Sequence, residues 1–131
     1  MSIRYGFERQ LKQHSFNHVL EDLKEALKAE GFGVLAEIDI RNTLKQKLNV
    51  EFRPYVILGV CNPPLAYKAL TAEKHIGLLL PCNLVVQEVE DGILVSVADA
   101  QAMFTLVDNP EVKPVAQDAD ERLRRVLNSL Q

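Results

Sequence analysis

What this chain lacks narrows its chemistry first. It has two cysteines, Cys61 and Cys82, too few for the disulfide framework of a small secreted protein, so a reducing compartment is compatible and the cytoplasm is the expected location. No apolar run approaches the roughly 20 residues that cross a bilayer, and the polar start carries no signal-peptide core. No membrane association is expected. Basic residues are not in excess: 15 against 18 acidic ones leave a formal charge of -3, which offers no electrostatic footprint for nucleic acid. The densest basic group, Arg122, Arg124 and Arg125, follows Asp118, Asp120 and Glu121. Acid first and base last is the order a helix dipole favours, so this group reads as a helix end.

Several catalytic signatures are missing as well. There is no Cys-x-x-Cys pair of the kind used in dithiol redox loops. Gly31 and Gly33 lie between a helix and a strand, whereas a dinucleotide fingerprint follows a strand and carries a third glycine. His14 and His18 have i,i+4 spacing, but Ser15 occupies the place of the glutamate that a zincin needs. Cys61, Cys82 and His75 are of types that suit zinc or copper, yet no fourth ligand accompanies them at a persuasive spacing. No serine sits in a nucleophile elbow. No metal ligand or catalytic residue is assigned on this basis, and no cofactor can be named. Nor does a repeat, low-complexity tract or linker divide the 131 residues, so residues 1–131 are expected to form one domain.

What is present is a succession of well-marked elements. Ile3, Tyr5 and Phe7 alternate with polar neighbours and predict a strand running toward Leu11. Ser15 caps a helix with the apolar stripe Phe16, Val19, Leu20, Leu23 and Leu27, and Gly31 stops it. From Phe32 the period changes to two: Phe32, Val34, Ala36, Ile38 and Ile40 predict a strand with one face in the core. A weaker helix is expected over 41–48, with Asp39 or Asn42 as its cap. The run from Val56 to Val60 reads as a central strand, and Asn62-Pro63 as the cap and first turn of a short helix. A strand over 84–89 and another over 93–97 meet at Asp91-Gly92, the clearest hairpin signal in the chain. Asn109-Pro110 and Pro114 punctuate a connector before a terminal amphipathic helix.

These elements predict an α+β fold, a mostly antiparallel sheet with helices packed on one face. Leu35, Val85, Val89 and Leu94 add apolar side chains to the other face, more than a sheet covered once requires. A second layer or a partner subunit would bury them, and a homodimer is expected.

The candidate site comes from two polar breaks beside apolar runs, Cys61-Asn62-Pro63-Pro64 and Pro81-Cys82-Asn83. A buried asparagine must find hydrogen-bond partners, so two such breaks at strand ends point to one specialised locality. The thiols fit three roles: plain packing, pocket lining, or redox and nucleophilic work. If the strand ends are adjacent, a disulfide would require α carbons within about 7 Å. Asn62 at a helix start could also offer free N–H groups to a small anion. Glu37 and Asp39 share a strand face, but Arg41, Lys45 and Arg53 provide ion partners for them.

Four stretches carry a family resemblance. They are Glu30-Gly31-Phe32-Gly33-Val34-Leu35-Ala36-Glu37-Ile38-Asp39 with Thr43-Leu44-Lys45, then Phe52-Arg53-Pro54-Tyr55, then Ile57-Leu58-Gly59-Val60-Cys61-Asn62-Pro63-Pro64-Leu65-Ala66, and finally Gly77-Leu78-Leu79-Leu80-Pro81-Cys82-Asn83-Leu84-Val85-Val86. Over about 30–97 the chain resembles the bacterial and archaeal domain of unknown function 302 family. The resemblance implies an α+β fold comparable with TATA-binding-protein-like architecture, and dimers. It also implies that Asp39, Cys61-Asn62-Pro63 and Pro81-Cys82-Asn83 are pocket or fold signatures, and it implies no catalytic residue. The expected function is a non-enzymatic small-ligand-binding or protein-interaction domain with a pocket at Asp39, Cys61, Asn62, Cys82 and Asn83, taking a small molecule or small anion. The competing reading is a cysteine-dependent redox or thiol enzyme using Cys61 or Cys82, with Asp39 or Asn62 orienting the thiol.

Overall fold

A computed structural model describes residues 3–12 and 14–131. The chain runs β1 (Gly6–Leu11), α1 (Phe16–Ala29), β2 (Gly33–Asp39), α2 (Ile40–Leu48), β3 (Tyr55–Cys61), α3 (Pro63–Ala72), β4 (Cys82–Val89), β5 (Gly92–Ala98), α4 (Ala100–Met103) and α5 (Lys113–Ser129). Three 3-10 turns, Ile76–Leu79, Phe104–Leu106 and Pro110–Val112, join the later elements. The strands form one five-stranded antiparallel sheet in the order β1-β5-β4-β3-β2, so the first strand pairs with the last. The α+β expectation, with a mostly antiparallel sheet and helices alongside it, matches this arrangement.

Strand alternation sorts the sheet into two faces. Phe7, Val95, Val97, Leu84, Val86 and Leu58 point to the buried side. There they meet Val19, Leu23 and Leu27 of α1 and Leu123, Val126 and Leu127 of α5. Both helices earn their places by a single apolar stripe, and Ser15 starts α1 as the sequence predicts by accepting from the His18 N–H at 3.1 Å. On the other side lie Glu8, Ser96, Val85 and Ile57, paired in one row across four strands and all partly exposed. At the hairpin, Gly92 has a φ of 137°, and a Cβ there would fall 2.3 Å from the Leu11 carbonyl oxygen. Only glycine fits that turn.

β2 departs from the sequence reading. All seven of its residues are exposed, Leu35 at 68% and Ile38 at 46% among them, where one core face was expected. Two causes act together. β2 is an edge strand, and a bulge between Val34 and Ala36 inserts Leu35, so Val34 pairs with Val60 while Ala36 pairs with Gly59. The bulge breaks the two-residue alternation, and Val34, Ala36 and Ile38 no longer share a face. Phe32, just before the strand, is the residue of that series that enters the core, at 4% exposure.

A second apolar cluster lies beyond the sheet. Leu65 and Ala69 of α3, Ile76, Ala100 and Phe104 pack there against Val115, Ala116 and Ala119 of the first half of α5. The connector read from Asn109-Pro110 and Pro114 is therefore mostly ordered: Asn109 caps a 3-10 turn and Pro114 sits in the first turn of α5, where its missing N–H costs nothing.

Candidate functional site

A cavity of about 310 Å3 separates the sheet core from the second cluster. Phe32, Val60 and Cys82 form its wall on the sheet side, and Leu65, Ala69 and Phe104 face them from the cluster. Cys61 and Asn62 lie where β3 runs into α3. Leu35 and Leu70 also line it and are 68% and 45% exposed, so they mark the mouth.

The two breaks singled out in the sequence meet here in part. Cys82 lies opposite Val60 in the β3–β4 ladder, one residue from Cys61, and both free thiols line the cavity with Asn62. Asn83 does not: it is exposed and stands opposite Gly59. Asp39 lies at the far end of its strand, opposite Val56, five residues from Cys61 along β3. At about 3.4 Å per residue that is roughly 17 Å. Its carboxylate instead accepts from the Asn42 N–H at 2.9 Å, capping α2, and Asp39 borders a separate depression with Phe16, Arg41 and Tyr55. The sequence reading of Asp39 as a helix cap describes this role, while the pocket it was grouped with is elsewhere.

Asn62 is a pillar of the wall. It is 7% exposed, its Oδ1 accepts from the Leu65 N–H at 3.3 Å, and its Nδ2 donates to the Glu30 carbonyl at 3.3 Å. This ties the start of α3 to the end of α1. Gly31, at φ 85°, lets the chain turn beneath that amide, since a Cβ would come within 3.0 Å of the Asn62 Nδ2. Arg122 reaches the same Glu30 carbonyl at 3.2 Å, and Arg125 holds the Glu30 carboxylate at 3.0 Å. The hydrogen bond from Arg125 holds the Glu30 carboxyl below its ordinary range. Arg124 stacks over Phe7. All three arginines of the basic group are thus engaged within the fold.

The anion expectation at α3 fails on donor count. An anion site at a helix start needs free N–H groups. Pro63 and Pro64 have none, the Leu65 N–H is taken by Asn62 Oδ1, and the Ala66 N–H bonds the Asn62 carbonyl at 2.9 Å. No backbone N–H of this helix start is left to donate.

Sequence reasoning missed the wall beyond the sheet, including Leu65, Phe104 and Val115, and the acid behind it. Asp120 is 1% exposed, and its carboxylate accepts from the Ala100 N–H at 2.8 Å, the Gln101 N–H at 3.0 Å and Gln101 Nε2 at 3.0 Å. It fastens α4 to α5. A signal existed: Asp120 is the one acid on the apolar stripe that runs through Ala116, Ala119 and Leu123. Burial, then the neighbouring Asp99, pushes the Asp120 carboxyl up. At Asp99 the effect of burial is outweighed by its bonds to Asp120 and to the Ala102 N–H, and the carboxyl is held down. The Cys82 thiol is pushed up to about 11 by burial, with smaller contributions from Asp120 and Cys61. A thiol held so high is not a thiolate at neutral pH. Among the described residues no three His, Cys, Asp or Glu side chains gather as a metal site, so Cys61, Cys82 and His75 do not form one.

Comparison with known proteins gives the family of this chain. A family model described as "Domain of unknown function DUF302" matches residues 7–130. The chain belongs to the DUF302 family. The match extends well beyond the 30–97 core that carries the resemblance, taking in most of β1, the α4 side of the second cluster and α5. A solved structure, the "uncharacterized conserved protein DUF302 from Bacillus stearothermophilus", is 30% identical in sequence and superposes with a TM-score of 0.90, covering 97% of this chain and 98% of that one. No curated protein matches. Among the described residues no helix is long and apolar enough to cross a membrane. The DUF302 assignment brings no reaction with it.

Proposed function

We propose that this chain is a non-enzymatic domain that takes up a small molecule in the cavity between the sheet and the second cluster, and that it works as a homodimer. The cavity is the observation that carries the reading. Its volume of about 310 Å3 falls at the small end of the range for ligand sites, which are mostly apolar with few polar groups. Cys61, Asn62 and Cys82 supply those groups, while Asp39 caps α2 away from the cavity and Asn83 is exposed. Crystals soaked with a library of small fragments should gain density between Phe32, Leu65 and Phe104. A screen in which bound fragments occupy only other surfaces would defeat the proposal.

The thiol-enzyme alternative is weaker because Cys82 is held protonated. Two free thiols also agree with a reducing, cytoplasmic setting. The antiparallel sheet with helices on one side favours a TATA-binding-protein-like plan, a comparison of folds that carries no DNA binding. Support for the dimer is the bare edge of β2, where Val34, Leu35 and Ile38 stand exposed beside unpaired backbone groups. Two copies of β2 side by side would satisfy both edges about a two-fold axis. Sedimentation should give a dimer at micromolar concentration and a monomer for Ile38→Asp. A wild-type monomer over that range would remove the dimer and leave the cavity untouched.

A further inference from the structure

The cavity also constrains what it holds. Building on the binding reading above, we infer that its ligand is an uncharged, hydrocarbon-rich small molecule, and that carboxylates, phosphates and protonated ammonium groups are excluded from it. None of the seventeen lining residues is Lys, Arg, His, Asp or Glu. An ionised group taken out of water with no partner pays a large solvation cost, so a charged ligand would have to leave its charge outside.

Hydrogen-bonding capacity is equally sparse. The α3 start presents no free N–H, because two of its first residues are proline and the next two donors are consumed by Asn62. Asn62 spends one donor and one acceptor on the wall itself, which leaves one amide hydrogen and one lone pair for a neutral polar end. The two thiols add weak donors. Burial keeps Cys82 in its neutral form. Size follows from volume: about 310 Å3 is roughly twice the ~150 Å3 apolar cavity that admits benzene, which allows roughly a dozen heavy atoms. The exposed Leu35 and Leu70 at the mouth extend the apolar lining outward. A medium-length alcohol or a bicyclic aromatic has the required chemistry.

The test uses the whole chain and the neutral fluorophore 1-naphthylamine, displaced in turn by 1-decanol and by decanoate at neutral pH. The expected result is saturable binding, with decanol displacing at a concentration about tenfold or more below decanoate, about 1.4 kcal/mol or more. Ala69→Phe and, independently, the half-buried Ala66→Phe should abolish binding while the protein still unfolds cooperatively. The second variant serves if the first does not fold. Decanoate competing as well as decanol would overturn the neutral-ligand inference and leave the pocket reading standing. Absence of binding by the fluorophore and by both competitors would overturn both. Undiminished binding in a folded Ala66→Phe or Ala69→Phe variant would place the ligand elsewhere, and binding that falls as protein concentration rises would assign the cavity mouth to a second copy of the chain.

Discussion

The two apolar clusters are built by different means. In the first, long strands and two long helices interlock through Leu, Val and Phe side chains, many of them wholly buried. In the second, the first half of α5 meets short pieces, α3, α4 and three 3-10 turns, and four of the nine buried residues are alanine, with Leu and Phe at the margins. Long elements with regular side-chain rows fill space efficiently. Short ones meet at irregular angles, and small side chains cannot reach across what remains. The cavity lies along the line where the two regimes meet, and the Asp120 carboxylate does there what packing does elsewhere, holding α4 in place by hydrogen bonds.

The contrast can be broken in several ways. Leu58→Ala, at a wholly buried position in the sheet, should cost about 4 kcal/mol, whereas Leu65→Ala, which borders space that is already empty, should cost about 2 kcal/mol. Urea unfolding of both variants measures this, and equal losses would mean that the clusters do not differ mechanically. Asp120→Ala strands the Ala100 and Gln101 N–H groups and should cost about 3 kcal/mol. Hydrogen exchange should quicken across α4 in that variant while the β4 and β5 amides keep their protection. Protection lost everywhere alike would argue for one cooperative unit.

A smaller effect depends on pH. The Cys82 thiol ionises at about 11 in the fold against an ordinary 9.0, so its contribution is present below pH 9 and is lost as pH rises through 11. Wild type should therefore lose on the order of 2 kcal/mol more than Cys82→Ala across that window. Parallel pH-stability curves for the two proteins would refute the burial of that thiol. The smallest expected change has the opposite sign. Ala66→Leu places methyl groups into the cavity and should raise stability by about 1 kcal/mol, whereas enlarging a side chain in the close-packed sheet core is destabilising. Thermal unfolding decides the sign.

How much of this could be read from residues alone depended on the range of the forces involved. Caps, hairpin and amphipathic stripes are local, and Ser15, Asn62 and Asp91-Gly92 announce them within a few residues. The nearness of Cys61 to Cys82 was legible too, because both flank strands that a short excursion returns to neighbouring positions. Asp39 was misplaced since a strand has two ends and composition does not say which of them faces a cavity. The exposure of β2 depends on its place at the sheet edge and on a one-residue bulge, neither of which has a sequence period. The second cluster was least visible: its turns are shorter than any hydrophobic period, and its stability comes from contacts with α5 far along the chain.

The pairing of β1 has a bearing on how the sheet closes. β1 has β5 as its sheet neighbour, and Arg9 within it donates to the carbonyls of Leu127, at 3.0 Å, of Asn128, at 3.1 Å, and of Leu130. Those residues lie 118 to 121 positions further along the sequence. The Val95 and Val97 edge of β5 stays uncovered for as long as β1 is unplaced. Closure of the sheet and capping of α5 thus meet in one guanidinium. A chain cut before Leu127 would lack the three carbonyls that hold Arg9 and would keep β1 by its pairing with β5 alone.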